Sequence, residues 1–154
     1  MRIAVPEGVA AYIAARIAGF PDEADERHRW QSRYVAEFGA LPLYLGWFET
    51  IGIRPGGEVI TWSTEGEFAG TRPVEERTCV VSALVAGSER FPELRQLLPE
   101  REPGATDCPC RNHPLVASGQ VLCGECGGVG WLPAQRHAEP GAAPDPAPRA
   151  GPGR

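Results

Sequence analysis

Four of the five cysteines lie in one short stretch of the chain. The segment Cys108-Pro109-Cys110 is followed, after twelve intervening residues, by Cys123-Gly124-Glu125-Cys126. Zn²⁺ favours soft ligands in a tetrahedral arrangement, and two short cysteine pairs on facing turns supply four of them. The spacing therefore predicts one zinc site with four ligands, Cys108, Cys110, Cys123 and Cys126.

Three other interpretations of this cluster stay open. Cys110-Arg111-Asn112-His113 has the more usual two-residue separation, so His113 could replace one cysteine in a Cys₃His site. Two disulfides are a second alternative, although the sequence shows no secretory signal and thiols stay reduced in the cytosol. A catalytic zinc needs an open position for water, which four thiolates do not leave. We therefore expect a closed structural site.

Glycines follow the second cysteine pair at Gly127, Gly128 and Gly130. Zinc-thiolate turns need such residues because backbone N–H groups fold back toward the sulfurs, usually through a residue with positive φ. The segment from Cys123 to Gly130 has the form Cys-x-x-Cys-x-Gly-x-Gly and resembles one half-site of the cysteine-rich zinc domain of DnaJ-type co-chaperones. In Cys108-Pro109-Cys110 one residue, rather than the two of that family, separates the cysteines.

Length and composition are sufficient for a hydrophobic core. The chain has 154 residues, of which 42% are hydrophobic, and four tryptophans. This is enough for one domain of ordinary size plus an appendage. The net charge of −5 disfavours a nucleic-acid partner, because such proteins concentrate positive charge on one face. The sequence has no apolar run of about eighteen residues, so we expect a cytoplasmic protein without a membrane span.

The first part of the chain predicts two helices. Apolar residues recur at three- and four-residue intervals from Pro6 to Phe20. A second helix is expected from Asp22 to Phe38, with acidic residues in its first turn and Gly39 at its end. Its aromatic residues lie four apart, which favours burial in the core: Trp30, Tyr34 and Phe38.

A hairpin pattern follows the helices. Aromatic and β-branched residues fill 43–54, and Pro55-Gly56-Gly57 then separates them from the strand pattern of Glu58 to Trp62. Residues 43–51 could also line one face of a helix, and that choice stays open.

This region resembles the SMI1/KNR4 superfamily, many of whose members are bacterial immunity proteins that bind and neutralise toxins. The matching features are a Leu-Pro step, an aromatic face, a glycine turn and a strand. In this sequence they are Leu41-Pro42, Tyr44, Trp47, Phe48, Gly56-Gly57 and Val59 to Trp62. The resemblance covers residues 37–62 and implies a protein that binds other proteins.

The rest of the chain predicts further helices and a separate C-terminal element. Ser63 to Arg72 is expected to be a loop, Pro73 to Ala86 a helix ended by Gly87, and Phe91 to Leu98 a short helical piece. A linker then leads to the zinc knuckle. We expect an α+β class, with an N-terminal helical pair, a β-hairpin and further helices in a core domain (1–100), a zinc knuckle (107–133) packed on it, and a disordered tail (134–154).

The sequence offers no convincing catalytic constellation. Cys79 stands among valines, where a free cysteine is usually a small buried hydrophobe, and His28 is distant from it in sequence. Glu75-Glu76 and Asp22-Glu23 fall at predicted helix starts, where acidic side chains offset the helix dipole. We expect a non-catalytic protein-binding module, a bacterial immunity or adaptor protein with a basic partner. The alternatives are a zinc-ribbon accessory protein of a nucleic-acid machine and a metal-dependent hydrolase.

Overall fold

Helices pack on a four-stranded antiparallel sheet, which confirms the predicted α+β class. The computed structural model describes residues 1–45, 49–63, 70–114 and 123–134. The strands lie in the sheet in the order in which they occur in the chain. They are β1 (Leu41–Leu45), β2 (Glu49–Ile53), β3 (Val59–Ser63) and β4 (Thr71–Pro73).

The sheet carries a hydrophobic cluster on each face. Successive side chains of a strand point to opposite faces, so the neighbours Val59 and Ile60 of β3 enter different clusters. Val59 packs in the larger cluster, to which α1 (Glu7–Ala18) and α3 (Arg77–Arg90) contribute. Ile60 packs with the aromatic residues of α2 (Ser32–Phe38). The sheet therefore lies between two helical layers.

The first predicted helix is confirmed as α1, but the second, over residues 22–38, is wrong as a single element. Asp22 caps a 3-10 helix (Glu23–Gln31) and forms a capping box with Asp25. The backbone leaves helical geometry at His28, and α2 follows the kink. The capping box is a local pattern, whereas the kink depends on tertiary packing that apolar periodicity does not report.

The aromatic stripe of this segment is only partly buried. Tyr34 and Phe38 stack with ring centroids 6.1 Å apart, and Phe38 contacts Trp62 of β3. The expected burial of Trp30 is wrong, since its side chain lies in the 3-10 helix and is 55% exposed. A 3-10 helix has about 3.0 residues per turn, so a four-residue spacing no longer keeps one face. Gln31 is buried instead and accepts a hydrogen bond from Trp62 Nε1.

The open choice at residues 43–51 is decided in favour of strands wherever the structure describes them. β1 and β2 pair with a register shift between Pro42 and Tyr44. The predicted hairpin is confirmed: Pro55-Gly56-Gly57 joins β2 to β3. Gly57 has φ of +84°, and a Cβ there would lie 2.1 Å from the Ile3 carbonyl oxygen, so the turn requires glycine.

The predicted bounds of the third helix, Pro73 to Ala86, are wrong. Pro73 is the last residue of β4, which lies where the sequence predicts the change from loop to helix. β4 has only three residues, so it is too short to show the alternating pattern of a strand. α3 runs through Gly87 rather than stopping there. A Cβ on Gly87 would lie 2.7 Å from Leu43 Cδ2, so this glycine allows α3 to approach β1 closely.

The helical piece after α3 is confirmed as a 3-10 helix (Pro92–Leu97). Two short strands, β5 (Thr106–Asp107) and β6 (Trp131–Leu132), form a second sheet. No helix in the described part of the chain is long and apolar enough to cross a membrane. Trp47, Phe48 and all of the predicted tail except Ala134 lie outside the described residues.

Candidate metal centre

The small second sheet brings the two cysteine pairs together. Thr106 pairs with Leu132 and Asp107 with Trp131, so the chain entering the first pair runs beside the chain leaving the second. The backbone N–H of Cys108 donates to the Gly130 carbonyl at 3.0 Å. The first pair then continues into a 3-10 turn (Pro109–Asn112), which turns Cys110 back toward the second pair.

The second pair lies on a tight glycine-containing turn. The Gly127 N–H donates to the Cys123 carbonyl at 2.8 Å, and the Glu125 N–H donates to Cys123 Sγ at 3.4 Å. Gly127, Gly128 and Gly130 have φ of +65°, +93° and +81°. The predicted need for positive φ after the second pair is confirmed, and it explains why glycine occupies these positions.

The four predicted ligand residues meet at one point. The Sγ atoms of Cys108, Cys110, Cys123 and Cys126 all lie within 4.8 Å of one another, an arrangement that could hold a metal ion. The Sγ–Sγ distance is 3.8 Å from Cys108 to Cys123 and 3.5 Å from Cys110 to Cys126. A disulfide needs about 2.05 Å, and all four residues are free cysteines. The geometry therefore matches shared ligation rather than the disulfide alternative.

The thiols of the cluster differ in their electrostatic environment. Backbone N–H groups, first that of Cys126 and then that of Glu125, lower the pKa of Cys123 from 9.0 to about 7. Burial raises the pKa of Cys108, and a hydrogen bond with Cys108 is the main reason that the pKa of Cys110 is raised. A cation at the centre of the cluster would favour the thiolate form of every one of these residues.

His113 lies beside the sulfur cluster, where it lines an open depression together with Cys108, Cys110 and Cys123. It follows the 3-10 turn of the first pair, its side chain is exposed, and its backbone N–H donates to the Cys110 carbonyl at 2.9 Å. Among the described residues, the group of ligand atoms within 4.8 Å of one another contains the four cysteines only.

Cys79 and His28 have different partners. The Cys79 thiol, half-buried on α3, donates to Glu76 Oε2 at 3.3 Å, and burial raises its pKa. His28 Nδ1 lies 2.8 Å from Arg90 Nη1. Since a guanidinium only donates, His28 Nδ1 is the acceptor and the ring is neutral.

The cysteine cluster packs closely against α3. A Cβ on Gly127 would lie 2.9 Å from Val81 Cγ1 and 3.2 Å from the Ser82 backbone nitrogen. Trp131 is only 9% exposed and lines a small depression together with Val81 and Pro99. Sequence patterns do not predict the close approach of this turn to α3, because the contact joins residues about 45 positions apart. The glycines after Cys126 are the one local signal that favours such an approach.

Comparison with known proteins finds no matching protein family, curated protein or solved structure for this chain.

Proposed function

We propose that the four cysteines bind one structural Zn²⁺. Zn–S bonds of about 2.3 Å place the corners of a tetrahedron about 3.8 Å apart. The distances of 3.8 Å between Cys108 and Cys123 and 3.5 Å between Cys110 and Cys126 are close to that value. Four soft thiolates with short spacing favour zinc over hard cations such as Mg²⁺ or Ca²⁺. This sulfur geometry is the observation that carries the proposal.

The proposed role of the zinc is to hold the C-terminal knuckle together. The two cysteine pairs are joined otherwise by β5 and β6, which contain only two residues each. Two-residue strands supply few backbone hydrogen bonds, so they give little stability by themselves. Metal binding to residues that are scattered in the unfolded chain adds its free energy to folding.

We further propose that the chain works as a non-catalytic protein-binding module, an immunity or adaptor protein of the cytoplasm. A closed set of four thiolates leaves no coordination position for a reacting water. Two large aromatic side chains of the described residues, Trp30 and Tyr44, are 55% and 43% exposed, and such residues are enriched at protein interfaces. The acidic balance of the chain suits a basic partner. The resemblance of residues 37–62 to the SMI1/KNR4 superfamily points to the same class.

X-ray absorption at the zinc edge tests the proposed structural zinc against two alternatives, a Cys₃His site and a catalytic zinc. We expect four sulfur neighbours at about 2.3 Å and no oxygen or nitrogen neighbour. One nitrogen in place of a sulfur would favour the Cys₃His alternative with His113. A bound water with fewer than three sulfurs would overturn the structural role in favour of a metal-dependent hydrolase.

A further inference from the structure

A groove of about 240 Å³ opens where the sheet, α3 and the metal centre meet. Tyr44 of β1 and Ile51 of β2 form one wall, and Cys79 and Ala83 of α3 form the other. Gly124, directly after the ligand residue Cys123, closes one end. A water molecule occupies about 30 Å³ in the liquid, so the groove has room for a large side chain.

The exposure of Tyr44 is unusual for its position. Tyr44 lies opposite Ile51 on the α3 side of the sheet. On this side Leu41, Leu43 and Ile53 are buried in the core and Ile51 is partly buried. Tyr44 is nevertheless 43% exposed. A tyrosine offers a large rigid contact surface and a polar tip, which is why this residue type often dominates binding energy at interfaces.

The charge at the groove is negative. Glu76 is the charged residue among the described lining residues, and its carboxylate accepts a hydrogen bond from the Cys79 thiol. Glu75, the preceding residue, is also exposed. Arg77 lines the neighbouring depression beside Glu125 rather than this groove. A cation arriving at the groove would therefore meet a carboxylate with an apolar surface next to it.

We propose that this groove is the docking surface for a basic segment of a partner protein. The segment inserts one large apolar side chain between Tyr44 and α3 and places a lysine or arginine against Glu76. The inference rests on the proposed protein-binding function and names the surface and the chemistry of the partner. It also gives the metal a functional consequence, since the zinc-bound turn that carries Gly124 forms one end of the groove.

A displayed library of random peptides, selected on the immobilised zinc-loaded chain, tests the proposal. We expect the enriched peptides to combine a large apolar residue with lysine or arginine. A synthetic copy of an enriched peptide should protect Cys79 from alkylation, which mass spectrometry of the Cys79 peptide would detect. Enrichment of acidic peptides, or of none, would overturn the proposed groove.

Matched variants then locate the binding surface. Tyr44→Ala should weaken the binding of the selected peptide about tenfold, whereas Tyr44→Phe, which keeps the ring, should retain most of the affinity. Glu76→Gln should weaken it about fivefold, and Glu89→Gln, the same change on an exposed position of α3 outside the groove, should not.

The outcomes separate this inference from the proposed function. A peptide that binds Tyr44→Ala and Glu76→Gln as well as the unaltered chain, and leaves Cys79 reactive, would show binding elsewhere: the groove would be excluded and the protein-binding role retained. A dimer in sedimentation that dissociates in Tyr44→Ala would show that a second copy of the chain takes the groove, which also overturns the inference. The coordination of the zinc tests the proposed structural site independently of either result.

Discussion

At the residue scale, Gly127 is where the turn of the cysteine cluster contacts the core. Its φ is +65°, and a Cβ would lie 2.9 Å from Val81 Cγ1. We expect Gly127→Ala to lower the free energy of unfolding by about 1 to 3 kcal/mol, because the methyl group meets both a strained backbone and a tightly packed neighbour. Urea unfolding of the zinc-loaded protein measures this loss.

Gly124→Ala is the matched control for that substitution. It changes a glycine of the same turn, but a Cβ there would have no atom of the described residues within 4 Å. We expect its urea midpoint to stay within error of the unaltered protein. If both variants lost the same stability, the close contact between the turn and α3 would not be what makes Gly127 necessary.

The candidate ligands could be predicted from the sequence because their chemistry is local. Two cysteine pairs and the glycines after Cys126 determine which residues can meet and how the turn must bend. The position of the site on α3 could not be predicted, since the contact between Gly127 and Val81 joins distant parts of the chain. The thiol of Cys79 and the carboxylate of Glu76 are also brought into the groove by packing rather than by spacing alone.

At the scale of the elements, β6 is expected to stabilise the knuckle through Trp131. This side chain is 9% exposed and lies beside Val81 and Pro99. We expect Trp131→Ala to cost about 1 to 4 kcal/mol in urea unfolding, because it leaves a cavity between the knuckle and α3. Trp30→Ala, at a 55% exposed position, should cost less than about 0.5 kcal/mol. A neutral Trp131→Ala would contradict the packing role and assign that ring to partner contact.

The 3-10 helix Glu23–Gln31 contacts α3 through the titratable side chain of His28, whose partner Arg90 also contacts β1. Arg90 lies 2.8 Å from His28 Nδ1 through Nη1 and donates to the Pro42 carbonyl through Nη2. Burial first, and then the charges of Arg90 and Arg27, lower the pKa of His28 below its ordinary 6.5. Below about pH 6.5, His28 therefore binds a proton more readily in the unfolded chain than in the folded chain. The free energy of unfolding consequently falls as the pH falls.

We expect His28→Gln to remove this part of the pH dependence. The new amide side chain would keep an acceptor for Arg90 but would not titrate. The urea midpoint of the unaltered protein should drop further between about pH 7.5 and pH 5.5 than that of the variant. Asp25, whose pKa is raised by burial, acts in the opposite direction but is present in both proteins. Parallel pH profiles would contradict the role of His28.

Elements with a strong local signal could be predicted, and those determined by packing could not. The periodicity of α1 and the Pro55-Gly56-Gly57 turn are sufficient by themselves. The hydrophobic pattern shows neither the kink at His28 nor the continuation of α3 through Gly87. Gly87 allows a close contact with Leu43 and does not end the helix. β4 is too short for its alternation to show.

At the scale of the whole molecule, the C-terminal knuckle and the sheet both pack against α3. The same part of α3 contacts the turn around Gly127 through Val81 and lines the groove through Cys79 and Ala83. Loss of the metal should therefore weaken both the fold and the proposed docking surface. If the metal and the docking surface are both present as we propose, the metal would link stability to binding.

The most direct test of that link is the zinc content of the purified chain, measured by mass spectrometry for two cysteine variants. We expect about one zinc per chain in the unaltered protein and in Cys79→Ser, whose thiol lies outside the cluster, and a loss of zinc in Cys126→Ser. An unaltered protein without zinc, in which all five cysteines react freely while the fold is intact, would contradict the account.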